Sequence, residues 1–160
     1  MSEDKANSGE VILISIYDIS PSPYQPRTYF DEVKLDELAA SIKEKGVLQP
    51  ITVRAVEGKE TPYELVAGER RWRASRKAGL DAIRSLVEVL SDEEAREIAL
   101  IENLQRDDLT PMDEARSVQS LVEVYEGNKA AAARKLGKPD QYVYQALELL
   151  TLPKEVQELL

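Results

Sequence analysis

The 160-residue chain contains no cysteine and no histidine. Without cysteine there is no disulfide, thiolate nucleophile, zinc–thiolate site or iron–sulfur cluster. Without histidine, the usual general base and the usual transition-metal ligand are missing as well. What remains is oxygen chemistry by Asp, Glu, Asn and Gln, with Arg and Lys as anion binders, the equipment of phosphate and hard-metal sites. No stretch is long and apolar enough to span a bilayer, and the polar start MSEDKANSGE is no signal peptide, so a cytoplasmic protein is expected. At 18.0 kDa the chain makes one domain or two small ones. A chain of this size buries about 70% of its unfolded surface and folds without covalent staples.

Positive charge is scarce overall: 21 Lys and Arg against 30 Asp and Glu leave a net charge of −9. That balance argues against a general nucleic-acid binder. The distribution is uneven, however. Residues 68–77 (GERRWRASRK) carry +4, residues 91–108 carry −5, and residues 127–138 (GNKAAAARKLGK) return to +4. Two basic patches in an acidic chain each require their own explanation.

Apolar patterning predicts a short polar, disordered tail over 1–10 and a β-branched strand over 11–16. ISPSPYQPR follows, an extended loop stiffened by Pro21, Pro23 and Pro26. Asp31 is placed to cap a helix bearing Val33, Leu35, Leu38, Ala39 and Ile42, stopped by Gly46. Strands are expected at 51–56, 63–67 and 82–90, with a helix over 69–78. Beyond residue 90 the pattern turns helical. Ser91 and Glu94 form a capping box for a helix to about Arg106. Thr110-Pro111 opens another, which buries Ala115, Val118, Leu121, Val122 and Tyr125. Asn128 caps a helix to Leu136, Gly137 turns the chain, a further helix covers 139–150, and Pro153 starts a last one. The predicted order is α+β then all-α, with the boundary near 108.

Four constellations carry chemistry. Gly68-Glu69-Arg70-Arg71-Trp72-Arg73-Ala74 places three arginines at the start of a helix, where the macrodipole disfavours cations. A bound anion would reverse that sign, taking hydrogen bonds from free N–H groups and guanidinium forks. The competing reading is a solvated basic face. In Glu102-Asn103-Leu104-Gln105-Arg106, Glu102 falls on the apolar stripe of its helix, where an oxygen pair suits Mg²⁺; an i,i+4 salt bridge to Arg106 explains the same spacing. Gln25-Pro26-Arg27 lies in the proline-stiffened loop, suited to positioning a water or a phosphate, or simply to turning the chain. Residues 128–150 read as a helix-turn-helix, with an ordinary αα-hairpin as the plainer alternative. Its basic first helix offers phosphate contacts, whereas its second carries Asp140 and Glu148 but no Arg or Lys. Gln141 and Gln145 match adenine edges there, and Tyr142 or Tyr144 a phosphate or sugar.

Taken with Gly46-Val47-Leu48-Gln49-Pro50-Ile51 and Tyr24-Gln25-Pro26-Arg27, these motifs resemble, in order and spacing, the ParB family of chromosome and plasmid partition proteins. The resemblance runs from about residue 12 to the end and includes Leu152-Pro153. It implies an α+β ParB/sulfiredoxin-like nucleotide-binding domain over 11–108, followed by an all-α helix-turn-helix domain over 109–160. It further implies CTP as ligand, with Arg27, Arg70, Arg71 and Arg106 at the nucleotide and Gly68 in the phosphate turn. Gly46, Val47, Leu48 and Gln49 would lie against the cytosine. Glu102 and Asn103 would hold Mg²⁺, and Gln25 and Glu69 would assist a slow CTPase reaction.

On the DNA side the resemblance implies a double-stranded, centromere-like parS-type site contacted by Lys129, Arg134, Lys135, Lys138, Gln141, Tyr142 and Gln145. It also implies a clamp formed by self-association of N-terminal domains on CTP binding, a ParA-type ATPase partner and a nucleoid-associated location. Two departures stand out. The family's usual Lys-Ser-Arg and Arg-Leu-Leu are Lys138-Pro139-Asp140 and Glu148-Leu149-Leu150 here, which implies a divergent DNA site. The family's C-terminal dimerisation domain has no counterpart, which implies a truncated chain. The alternatives are a regulator of the same fold without a CTP switch and a nucleotide-dependent small-molecule kinase.

Overall fold

Short aliphatic segments separated by turn residues pair into one mixed five-stranded sheet in the computed structural model, which describes residues 9–24 and 30–160. The chain divides into two compact units, residues 1–95 and 96–160. In the first, the strands are β1 (Glu10–Ser15), β2 (Ile19–Ser20), β3 (Ile51–Ala55), β4 (Tyr63–Ala67) and β5 (Ala82–Glu88), in spatial order β1-β5-β3-β4-β2. The β1–β5 and β3–β4 pairs are antiparallel, while β5–β3 and β4–β2 are parallel. The strand expected to start at Val11 begins at Glu10, and the N–H of Gly9 already bonds the Val87 carbonyl at 2.9 Å. β2 falls in the stretch expected to be loop, since two residues are too few to show a period, and Ile16, expected to end the first strand, instead opens a 3₁₀ turn over Ile16–Asp18.

Helices α1 (Glu32–Lys45) and α2 (Glu69–Lys77) belong to the same unit. Asp31 caps α1 by accepting from the N–H groups of Val33 and Lys34, as its position predicted. Ile14, Ile16, Ile51, Val53, Leu65 and Ile83 gather round Trp72 of α2, whose indole N–H donates to the Ile16 carbonyl at 3.4 Å. Each such side chain contributes about 1.5–3 kcal/mol by leaving water. Leu35, Ala39 and Ile42 then seat α1 on Ala74.

Side chains alternate along a strand, so the residue after Val53 points away from this core. That residue is Arg54, 3% exposed, and opposite it in register lies Glu64, 2% exposed. Arg54 donates to Glu64 Oε1 from Nε (3.0 Å) and Nη2 (2.7 Å). It also reaches the Leu90 carbonyl at 3.3 Å and Asp92 Oδ1 at 2.8 Å. Lys59 closes the network on Glu64 Oε2 at 2.6 Å. Burial opposes the Arg54 charge, yet the two carboxylates raise its pKa above the ordinary value.

α3 (Asp92–Leu104) starts at the expected capping box, with Glu94 N–H on Ser91 Oγ at 3.1 Å and Ser91 N–H on Glu94 Oε2 at 2.8 Å. The second unit continues with α4 (Pro111–Val124), α5 (Lys129–Leu136), α6 (Asp140–Leu149) and α7 (Lys154–Gln157). Thr110 and Asn128 cap α4 and α5 from their side chains, and Gly137, at φ 66°, ends α5 in the left-handed region. Leu100, Val118, Leu121, Val143 and Ala146 meet around Ala132 and Ala133, whose small side chains allow the helices to approach closely. Tyr125 donates its hydroxyl to Glu97, which also pairs with Lys135 at 3.4 Å. Burial first, and then the Glu97 carboxylate, push the Tyr125 phenol up to about 12. Among the described residues no helix is long and apolar enough to cross a membrane.

Two measurements test these assignments. Arg54→Met should destabilise the fold by about 3 kcal/mol in urea unfolding, because the buried Glu64 loses its two guanidinium hydrogen bonds and keeps only the half-exposed Lys59, while Arg54→Met with Glu64→Leu should recover most of that loss. The second is pH dependence. The folded chain keeps the Tyr125 proton above the pH at which an unfolded tyrosine loses it, so stability should fall as pH rises from about 10 to 12. Tyr125→Phe should flatten part of that slope.

Candidate functional site

The arginine-rich segment is placed by one glycine. Gly68 joins β4 to α2 in the left-handed conformation (φ 94°, ψ 33°), and no side chain caps the helix it begins. A Cβ on Gly68 would stand 3.0 Å from Ile51 Cγ2 and 3.2 Å from Arg71 Nη2, so both the φ angle and the space call for glycine. The first N–H groups of α2 have no intrahelical acceptor. Arg71 folds back from this turn and donates from Nη1 to the carbonyls of Gln49 (3.2 Å) and Pro50 (2.7 Å). The structure thereby brings two of the expected motifs together, the 46–49 segment and the Gly68 turn.

Within that arrangement the residues differ in role. Arg70 is exposed at the helix start. Glu69 is 7% exposed; its Oε1 accepts from Arg73 Nε (3.2 Å) and Nη2 (3.0 Å). Its Oε2 is buried and has no hydrogen-bond partner among the described residues. A buried carboxylate oxygen without a donor is costly, which marks this atom for a ligand or a water. Val47 is half-buried and packs against the apolar cores, whereas Leu48 is 78% exposed as an apolar surface. Gln25 and Arg27 lie outside the described residues.

In the second unit, Asn103 is buried at the end of α3, with Nδ2 on Ser117 Oγ at 2.8 Å. Its Oδ1 accepts from Arg106 Nη1 at 3.2 Å. Arg106 in turn forms a bidentate pair with Asp108, 3.0 Å from Nε and 2.8 Å from Nη2. Arg106, expected at the nucleotide, therefore acts in the structure as a brace whose fork is already filled. Glu102 is half-buried on the same helix. Among the described residues no cluster of three or more acids forms a metal cage. A Glu–Asn oxygen pair without such a cage fits only a cation that keeps its waters and arrives with phosphate.

The helix-turn-helix forms as expected, but one of its expected readers is turned inward. Tyr142 donates its hydroxyl to Glu114 of α4 and packs in the second core, so it supports α6 and is not on the open face. Burial and the Glu114 carboxylate raise its pKa. Gln141, Tyr144, Gln145 and Glu148 are exposed, at helical spacing, with Gln145 next to Tyr142 at i+3 and Tyr144 turned furthest from it. Of the two tyrosines offered for a phosphate or sugar contact, Tyr144 is the exposed one; the buried Val143 and Ala146 are the signal that puts it outward. Lys129 and Lys138 sit 4.8 Å and 5.5 Å above the rings of Tyr144 and Tyr142, and Arg134 is exposed on α5. Lys135 is drawn to Glu97.

Comparisons with known proteins agree with both halves. A family model described as the ParB N-terminal domain matches residues 1–104, and one described as the ParB HTH domain matches residues 107–160. A nucleoid occlusion protein of Geobacillus kaustophilus is 46% identical over 158 residues, 99% of this chain and 56% of that protein. The chain thus spans little more than half the length of that relative. The C-terminally truncated chromosome-partitioning protein ParB of Caulobacter crescentus, complexed to the centromeric parS site, is similar with a TM-score of 0.77 and 40% identity, covering 93% of this chain and 76% of that one. The same Caulobacter protein complexed with CTP-γ-S gives a TM-score of 0.56 and 43% identity over 94% and 83% of the two chains.

Gly68→Ala tests the geometry of the turn. The forced left-handed alanine and its contact with Ile51 should cost about 1–3 kcal/mol in urea unfolding, followed by the fluorescence of Trp72.

Proposed function

The chain belongs to the ParB family, and on that premise we propose that it is a DNA-binding protein of the partition and nucleoid-occlusion type whose hold on DNA is switched by CTP. The observation that carries the nucleotide half is the Gly68 turn. It offers an uncapped helix start, Arg70 and Arg71 beside it, and one buried Glu69 oxygen that has no donor among the described residues. An anion there relieves the crowding of arginines at the positive end of a helix dipole. The Caulobacter ParB complex with CTP-γ-S supports CTP as that anion.

In this reading Arg70 and Arg71 hold phosphates, and Arg71 at the same time fixes the 46–49 segment, whose backbone and Leu48 face the base. Glu69, steadied through Oε1 by Arg73, uses Oε2 to position a water for slow hydrolysis. Glu102 and Asn103 are the proposed Mg²⁺ ligands. Gln25 and Arg27 enter on the family resemblance. The DNA half rests on the basic α5 and the open face of α6, supported by the parS complex of Caulobacter ParB. CTP-dependent self-association into a clamp, a ParA-type ATPase partner and a cytoplasmic, nucleoid-associated location complete the proposal.

Calorimetric titration with CTP, UTP, ATP and GTP, with and without Mg²⁺, tests it. CTP should bind best and more tightly with Mg²⁺; equal binding of ATP would contradict the assignment. Arg71→Ala should lose about ten- to hundred-fold in affinity, since one charge-assisted phosphate contact is worth about 1.5–3 kcal/mol. Glu69→Gln should keep CTP binding but slow phosphate release, and turnover at the parent rate would remove Glu69 from the reaction. A family member without a switch would show the same DNA affinity with and without CTP.

A further inference from the structure

We infer that Tyr144 is a specificity-determining residue of α6 that contacts a thymine methyl group, within a DNA element read through A·T pairs; the inference rests on the DNA-binding reading above. The ten residues of α6, DQYVYQALEL, include no Lys or Arg. Guanine O6 and N7 are read best by those two side chains, so α6 has no matched donor for guanine. Gln141 and Gln145 supply the amide pairs that match adenine N6 and N7. Counted from Gln141, Tyr144 is at i+3 and Gln145 at i+4, so the three share one side of the helix, and Tyr144 is 51% exposed. All three lie in the first two turns of the helix, the part that meets base edges in helix-turn-helix proteins.

The ring of Tyr144 is also held. Lys129 Nζ, from the start of α5, lies 4.8 Å from the ring centroid. A cation over one face of a ring orients it and leaves an apolar surface that does not have to be ordered on binding. Adenine's partner is thymine, and the one apolar group that thymine shows in the major groove is its C5 methyl. The two tyrosines of α6 thus divide their work: Tyr142 is tied to Glu114 as a strut, and Tyr144 is presented to the partner. Glu148, one turn further on, repels phosphate and directs the first two turns of the helix towards the groove.

The experiment starts by selecting bound duplexes from a random library with the 160-residue chain at low salt. Fluorescence anisotropy then compares each selected thymine with deoxyuridine, which removes only the methyl. The expected result is an A·T-rich element in which one deoxyuridine weakens the parent chain and Tyr144→Phe about fourfold, the value of one buried methyl, and leaves Tyr144→Ala unaffected. The exposed position lets the alanine variant keep its fold, which circular dichroism checks. A deoxyuridine effect equal in the parent and Tyr144→Ala, or none in the parent, overturns the inference while DNA binding stands. Loss of affinity in Tyr144→Phe on every duplex would mean a phosphate contact through the hydroxyl, and also overturns it. If no duplex is enriched, the DNA-binding reading itself fails.

Discussion

The candidate nucleotide site depends on the contact between Arg71 and the two carbonyls that lead into β3. Arg71 is a cation at the wrong end of a helix, and a Cβ on Gly68 would stand 3.2 Å from its guanidinium, which together with the positive φ makes any other residue costly in the turn. By donating to Gln49 and Pro50 it holds the Gly46–Gln49 stretch against the start of α2. Everything proposed for the nucleotide follows from that juxtaposition: uncapped N–H groups, an exposed Arg70, a buried Glu69 oxygen and the apolar Leu48 lie on one assembled edge. The buried Arg54–Glu64 pair supports the same edge from the other face of the sheet, since it fixes the register of β3 against β4, the two strands on which the Gly68 turn rests.

Much of this was legible in the sequence because the signals were local. Caps at Asp31, Thr110 and Asn128 and the Ser91–Glu94 box declare helix starts through side chains within three residues. The Gly68 turn was legible for the same reason, as a glycine between a β-rich run and a run of cations. Long-range pairings were not. Arg54 and Glu64 each sit at an alternating position of a predicted strand, but only the register, set through the turn between them, shows that they face each other. Two-residue β2 and the fork of Arg106 on Asp108 likewise have no periodic signature. Tyr142 and Tyr144 differ by only two positions on a helix; the buried residues beside them decide which one supports and which one faces out.

The two units carry opposite electrostatic problems. The first collects arginines where a helix dipole repels them, an arrangement that an anion resolves. The second builds α6, the helix proposed to face DNA, without a single cation and places lysines over the rings of its tyrosines instead. In the proposed DNA reading, phosphate attraction therefore falls to α5 and the turn after it, and base reading to uncharged side chains. This separation agrees with the departures from the family's usual recognition helix at Asp140 and Glu148.

Backbone hydrogen exchange tests the central claim most directly, because it reports the N–H groups themselves. Adding CTP and Mg²⁺ should protect the amides of Glu69, Arg70 and Arg71, and ATP at the same concentration should protect them far less. Unchanged exchange at these three amides on saturation with CTP, or equal protection by ATP, would contradict the assignment of the Gly68 turn as a CTP site.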